Sequence, residues 1–279
     1  ANFWSRKNPV RDFSNGLIGP AWIIEALTYA SDHFKDLELN KLAADVFLLH
    51  PFIPQEGIWQ SVNVDGSHGP VDDTFNHQLW FAATGGMIAG NPEIARQVGI
   101  FMNHLDTNLS TYGNGLIMHG LKPQHGLKMK VKDTLRFIRG RAYTNTAINK
   151  AIAYHAFNTY GFALLFKHTK DHAFWSSHKF KKILQFLESD LYVEGLDYFL
   201  TDREPDGVSL PFSKYGYAYN PPGIEVVYTI QSFPELFKIS PEAAASSWLD
   251  CQFRKTFNQA TGFMEINTDD PVTLASRIY

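Results

Sequence analysis

At 279 residues, 44% hydrophobic and 19% charged, the chain has the make-up of an ordinary globular protein and excludes a disordered or collagen-like one. A net charge of −3 supplies no basic stripe for nucleic acid, and the single cysteine, Cys251, excludes an intrachain disulfide framework and a cysteine-rich zinc site. No apolar run approaches the roughly 20 residues that cross a bilayer. The expectation is a soluble chain with no membrane span; its compartment stays open, cytoplasmic being favoured, and the start at Ala1 also fits a processed N-terminus.

In chain order, 16–34 reads as a helix, because Leu17, Ala21, Ile24, Leu27 and Tyr29 give it one wide apolar face. Asn15 is its expected cap and Pro20 suits its first turn. A partner helix at 39–49 is stopped by Pro51, and 57–64 alternates enough for a short strand. The second pair covers 74–89 and 92–105, with Asp73 as the expected N-cap and Pro92 at a first helical position. The segment 108–143, rich in Gly, Lys and His, is long enough to read as a functional loop. Its basic part, Lys122 to Arg141, also holds Asp133 and apolar residues, so it reads as a partner-facing loop rather than a polyanion site. A third pair is expected at 145–169 and 174–191. A fourth follows at 224–237 and 241–253, where Cys251 reads as a small buried thiol. The stretch 271–279 looks like the opening turn of a further helix.

These pairs form a loose repeat. Each is closed by a glycine followed by a bulky apolar residue, at Gly57-Ile58, Gly115-Leu116, Gly195-Leu196 and Gly262-Phe263. Helical hairpins repeated at this length predict an α/α array, whose units bury their apolar faces on one another. Turns within pairs are short and connections between pairs are long, so the long loops should gather with the helix N-terminal ends on one rim. That rim would offer backbone N–H groups and partial positive charge to an anionic or polyhydroxyl ligand.

The hairpin repeat, with the segments VDDTFNHQLWFAA, AYHAFNTYGFALL and GYAYNPPGIEVVY, resembles the α/α-toroid group of six-hairpin glycosidases, unsaturated uronyl hydrolases and N-acylglucosamine 2-epimerases. The resemblance implies an all-α, (α/α)6-like toroid over a single domain, 1–279, with short β pieces in the long loops. Four hairpins plus the start of another helix are fewer than six, which fits either a fragment or an incomplete ring.

The candidate catalytic residues are Asp72, Asp73, His77 and His155. Asp72 and Asp73 precede the second inner helix, and His77 lies one turn on, at i+4 from Asp73. A carboxylate pair beside a histidine suits acid/base work on a glycosidic bond. The plainer alternative makes Asp73 a helix cap and Asp72 a solvated charge. His155 shares a helix face with Asn158 on an otherwise apolar helix, which reads either as a satisfied core histidine or as the second of two inner-helix histidines. Two such groups near neutral pKa would resemble the acid/base pair of the 2-epimerases.

Expected substrate contacts are Glu25, Trp80, Arg141, Tyr143, Asn158, Tyr215, Tyr217, Tyr219 and Glu225. The three tyrosines alternate along what reads as an extended segment, which would put their rings on one side for sugar stacking. Glu225 stands in a first helical turn, where the helix dipole alone favours it. Glu25, mid-helix, would need a partner such as Arg139 or Arg141 if buried. Neither a metal nor a cofactor is expected: His119 and His125 lack helical zinc spacing, and no phosphate-binding glycine loop or nucleophile elbow is present.

The expected partner is a saccharide, with no nucleic acid. The leading reading is a carbohydrate-active enzyme that hydrolyses a glycosidic bond in a saccharide, one containing uronic acid included. One alternative is a cofactor-free sugar epimerase or isomerase using His77 and His155. Another is a non-catalytic α/α scaffold that holds a saccharide or protein through its aromatic loops. An apolar-substrate cyclase lacks the acidic ionisation motif it would need.

Overall fold

A computed structural model describes residues 12–121, 146–197, 213, 215–268, 271 and 274. The described chain is mainly helical, with one small sheet. In order it forms α1 (Ile18–Phe34), α2 (Leu37–Leu48), β1 (Phe52–Ile53), β2 (Ile58–Val62), β3 (His68–Val71), α3 (Phe75–Met87) and α4 (Pro92–Asn108). Then come α5 (Thr146–Ala153), α6 (His155–Phe166), α7 (His178–Phe186), α8 (Asp190–Asp197), α9 (Pro222–Ser232), α10 (Pro241–Ala244), a π-helical stretch at Ala245–Leu249, and α11 (Asp250–Thr256).

The chain divides into two compact units. The first holds Ala1–Leu109, Gly120–Pro123 and Leu164–Trp175, and the second Ser110–His119, Gln124–Ala163 and Ser176–Tyr279.

In the first unit, α1 packs on both α2 and α3. Local signals set most helix ends. Asp36 caps α2 by accepting from Glu38 N–H, and Asn91 caps α4 by accepting from Glu93 and Ile94 N–H, with Pro92 in the first turn as expected. Asn15 does not cap α1. It is left-handed, at φ 52°, and the cap position is held by Leu17, whose own side chain makes no capping hydrogen bond. The sheet is an antiparallel meander pairing Phe52 with Trp59 and Gln60 with Val71. Only its middle strand was expected, because β1 is two residues long and β3, His68-Gly69-Pro70-Val71, reads as a turn.

The sheet's inner face carries the core. The Trp59 ring lies 5.4 Å from Phe81 and 5.6 Å from Phe101, while Phe47 stacks on Phe81 at 4.5 Å. Trp59 satisfies its indole N–H on Gln97 Oε1 at 2.8 Å.

The second unit has an apolar core of Leu116, Ile148, Ile152, Tyr192, Leu196 and Val226. The helix expected at 145–169 is interrupted at Tyr154. The one expected at 241–253 is widened by the π-helical turn, which sets the Trp248 carbonyl and the Gln252 side chain against Gly223, where any Cβ would collide. Of the four glycines read as hairpin closures, Gly57, Gly115 and Gly262 are left-handed, with φ of 65°, 97° and 76°. Gly195 is not a closure, because it lies within α8.

Candidate functional site

In the first unit, several hydrogen bonds converge on Asp72. Gln78, fully buried on α3, accepts from Trp59 N–H through Oε1 at 2.9 Å. Its Nε2 donates to the carbonyls of Trp59 and Asp72, both at 2.8 Å. One amide therefore ties β2, the Asp72 backbone and α3 together, which fixes where the Asp72 carboxylate stands. That carboxylate is buried. Its Oδ1 accepts from Thr74 N–H at 3.1 Å, and its Oδ2 from Leu17 N–H at 3.0 Å. A single side chain thus serves the starts of both α1 and α3, the role expected of Asn15 and Asp73; the residue at the α3 cap position is Thr74. A buried carboxylate persists only with such donors.

The third partner is His77, whose Nδ1 lies 2.7 Å from Asp72 Oδ2. A carboxylate that already accepts two N–H groups offers only acceptor oxygens, so the contact requires a proton on Nδ1. This sets the ring's tautomer and makes Nε2 its basic nitrogen. The His77 side chain keeps 12% of its surface exposed, against 1% for Asp72. Asp73, the next residue, is exposed, and its carbonyl accepts from Leu121 N–H at 2.9 Å. Asp72 is therefore not a solvated charge: it is buried and holds the His77 ring. His77 and Asp73 are the groups solvent can reach.

His155, in the second unit, is placed otherwise. It is fully buried, with Nε2 2.9 Å from the Ile183 carbonyl and Nδ1 accepting from Ile117 N–H at 3.4 Å. Burial holds its pKa near 4, against an ordinary value of about 6.5. Such a ring has neither an exposed nitrogen nor the near-neutral pKa that proton exchange needs, which removes the basis for a His77–His155 pair. Asn158, at 2% exposed, donates through Nδ2 to the Tyr154 carbonyl at 2.8 Å.

The tyrosine row is corrected too. Residues 215–219 form turns, with Tyr219 and Asn220 N–H both bonded to the Gly216 carbonyl, so side chains two apart do not share a side. Tyr217 is buried, its hydroxyl 3.3 Å from Cys251 Sγ and its ring beneath Lys255 Nζ. Burial pushes its phenol pKa up. Tyr215 and Tyr219 remain half-exposed, with ring centroids 6.1 Å apart.

Trp80 is fully buried and presents no open ring face to a saccharide. Glu25 is buried on α1, and Glu225 is fully buried in the first turn of α9. Burial and the Glu225 charge together push the Tyr192 phenol up. Arg139, Arg141 and Tyr143 lie outside the described residues. Among the described residues no group of three or more His, Cys, Asp and Glu is placed to hold a metal, and no helix is long and apolar enough to cross a membrane.

Sequence reasoning missed Gln78, Leu17 and Thr74. Gln78 follows His77 directly, but its partners are backbone groups, those of Trp59 on a distant strand and the Asp72 carbonyl, and no spacing signals them.

No family model and no solved structure matches the chain. A curated relative does: archaeal glycosylation protein Q of Haloferax volcanii is 34% identical over 292 aligned positions, covering 99% of this chain and 74% of the relative. The chain belongs to the family of archaeal glycosylation protein Q. At the start of α3, a buried carboxylate thus holds a histidine ring that is partly exposed.

Proposed function

We propose that the chain processes a saccharide in glycosylation, cleaving a glycosidic bond by acid–base catalysis at the start of α3. The observation that carries this reading is the 2.7 Å contact between the buried Asp72 carboxylate and Nδ1 of the partly exposed His77. The relative's name, a glycosylation protein, supports the substrate class. Asp72 holds the ring and stabilises the imidazolium that forms when Nε2 takes a proton from water. The water oxygen attacks the anomeric carbon as the glycosidic C–O bond breaks. Asp73, in its protonated form, gives its proton to the departing oxygen. A toroid, in which helix N-termini ring the substrate, would suit this chemistry. Epimerisation loses ground because His155 is held by backbone groups on both ring nitrogens.

The test is a mass-spectrometric screen of soluble oligosaccharides with the wild-type chain and its His77→Gln and Asp73→Asn variants. The expected result is a cleaved product that gains one water, with turnover lost in both variants. A product of unchanged mass would point to isomerisation. Undiminished cleavage by both variants would sink the assignment of roles.

A further inference from the structure

The second unit holds a polar aromatic cluster that the Asp72–His77 chemistry does not use. Tyr154, at the break between α5 and α6, lies 6.2 Å from Tyr215 and 6.0 Å from Tyr219 by ring centroid, and those two are 6.1 Å apart. Three rings at nearly equal separations, inclined to one another by 44°, 59° and 89°, form a cup rather than a stack. His119 closes one side, 5.1 Å from Tyr154. Lys150, one turn before Tyr154, sets its Nζ 5.6 Å from the Tyr154 ring centroid and 5.8 Å from that of Tyr215. The cup is tied down from below. Asn220, buried, donates through Nδ2 to the carbonyls of Tyr215 and Ala153, at 3.0 and 3.3 Å, which fixes the tyrosine turn to the end of α5.

Two observations separate this cluster from core packing. All five of its side chains are half-exposed, whereas the aromatic groups of the core proper, such as Tyr192 and Phe186, are buried. Asn158, on the Tyr154 face of α6 and 2% exposed, has an Oδ1 with no hydrogen-bond partner among the described residues. A buried acceptor of that kind is the group a ligand hydroxyl completes.

We infer that Lys150, Tyr154, Tyr215, Tyr219 and His119 bind a pyranose that carries one negatively charged group, a carboxylate or a phosphate. This deepens, and rests on, the saccharide reading above. The C–H faces of a sugar ring pack on tyrosine faces, and the phenol and imidazole edges meet its hydroxyls. The ammonium beside two rings supplies the charge selection: an anion pairs with it while the rings shield the pair from water.

The test is calorimetric titration of the full chain with glucuronate, glucose 6-phosphate and glucose. At least one anionic sugar should bind more tightly than glucose by about tenfold, the scale of one charge-assisted contact. Which of the two binds better separates carboxylate from phosphate. Lys150→Met should abolish the preference, Lys150→Arg should retain it, and Tyr215→Ala should weaken all three sugars. Near-UV circular dichroism checks that each variant is folded, and the Arg and Tyr215 variants carry the test if the Met variant is not. Equal binding of all three sugars, or a preference that survives Lys150→Met, overturns the site and leaves the saccharide reading standing. Absence of binding by all three overturns the site. If oligosaccharide turnover is absent as well, both readings fall.

Discussion

The first unit's His77 and the second unit's His155 each stand on a helix that is largely apolar, yet their surroundings give them opposite properties. His77 rests on a carboxylate and keeps an edge in solvent. His155 rests on a backbone carbonyl and a backbone N–H and has no exposed surface. The carboxylate fixes the ring's tautomer at His77, and burial among neutral groups destabilises the protonated ring at His155. Residue type is shared, so what differs is how each ring is held: on a carboxylate at a partly exposed site, or between two backbone groups in the core.

The largest effect that sharpens this contrast is kinetic. Removing the His77 ring in His77→Gln should lower turnover by roughly 10²- to 10⁴-fold, the range for loss of a general base. Its unfolding free energy should change by only about 1 kcal/mol, as expected of a partly exposed ring. Steady-state rates and urea melts on the same preparations separate the two quantities. A melt that falls as far as the rate would recast His77 as a packing residue.

The mirror experiment belongs to the second unit. His155→Leu leaves the Ile117 N–H and the Ile183 carbonyl without the ring that joined them, which should destabilise the fold by about 3 kcal/mol. Turnover per folded molecule should stay near wild type. A rate that collapses in the folded variant would return His155 to the chemistry and break the contrast.

How far this division could be read from sequence depends on the range of the interaction. The helix at 92–105 was legible because Pro92 suits a first helical position, and α4 begins there; its Asn91 cap, also local, acts on groups two and three residues away. Asn15 and Asp73 looked equally good as caps. They lost because Asp72 reaches the starts of two helices, one of them 55 residues distant. The Tyr215–Tyr219 row failed for a related reason: alternation predicts a shared side only in extended backbone, and Gly216 turns the chain there. Asp72 and His77 were visible as candidates through their residue types, but their roles came from Gln78 and β2, whose contacts leave no trace in spacing. The Lys150–Tyr154 pair did have a signal, an i,i+4 cation and ring on a helix.

Acid should expose the second unit's histidine next. His155 has a folded pKa near 4, below its unfolded value of about 6.5. Above pH 6.5 both states are neutral and its contribution is fully present. As the pH falls from 6.5 toward 4 the unfolded chain binds a proton that the folded chain refuses, so stability drops, by about 3 kcal/mol in all for this group. His50, in the first unit, is likewise held near 4 by burial, with Nδ1 3.1 Å from the Gln60 carbonyl, and should add a loss in the same window. Urea midpoints between pH 7 and 4 read the sum, and His155→Leu should flatten the curve by its share. An unchanged slope in that variant would mean that His155 already takes up its proton in the folded chain.

The smallest effects should erase the contrast altogether. Asn91 accepts from Glu93 and Ile94 N–H at the start of α4 in the first unit, and Ser177 accepts from Phe180 N–H at the start of α7 in the second. Each is a local contact that needs nothing from the rest of its unit. Asn91→Ala and Ser177→Ala should therefore each lower the unfolding free energy by about 1 kcal/mol, the ordinary worth of a helix cap. Two similar values from urea unfolding would show that helix starts obey one rule in both units, while histidine chemistry follows distant partners. If one cap proved worth several times the other, its helix start would depend on tertiary contacts too.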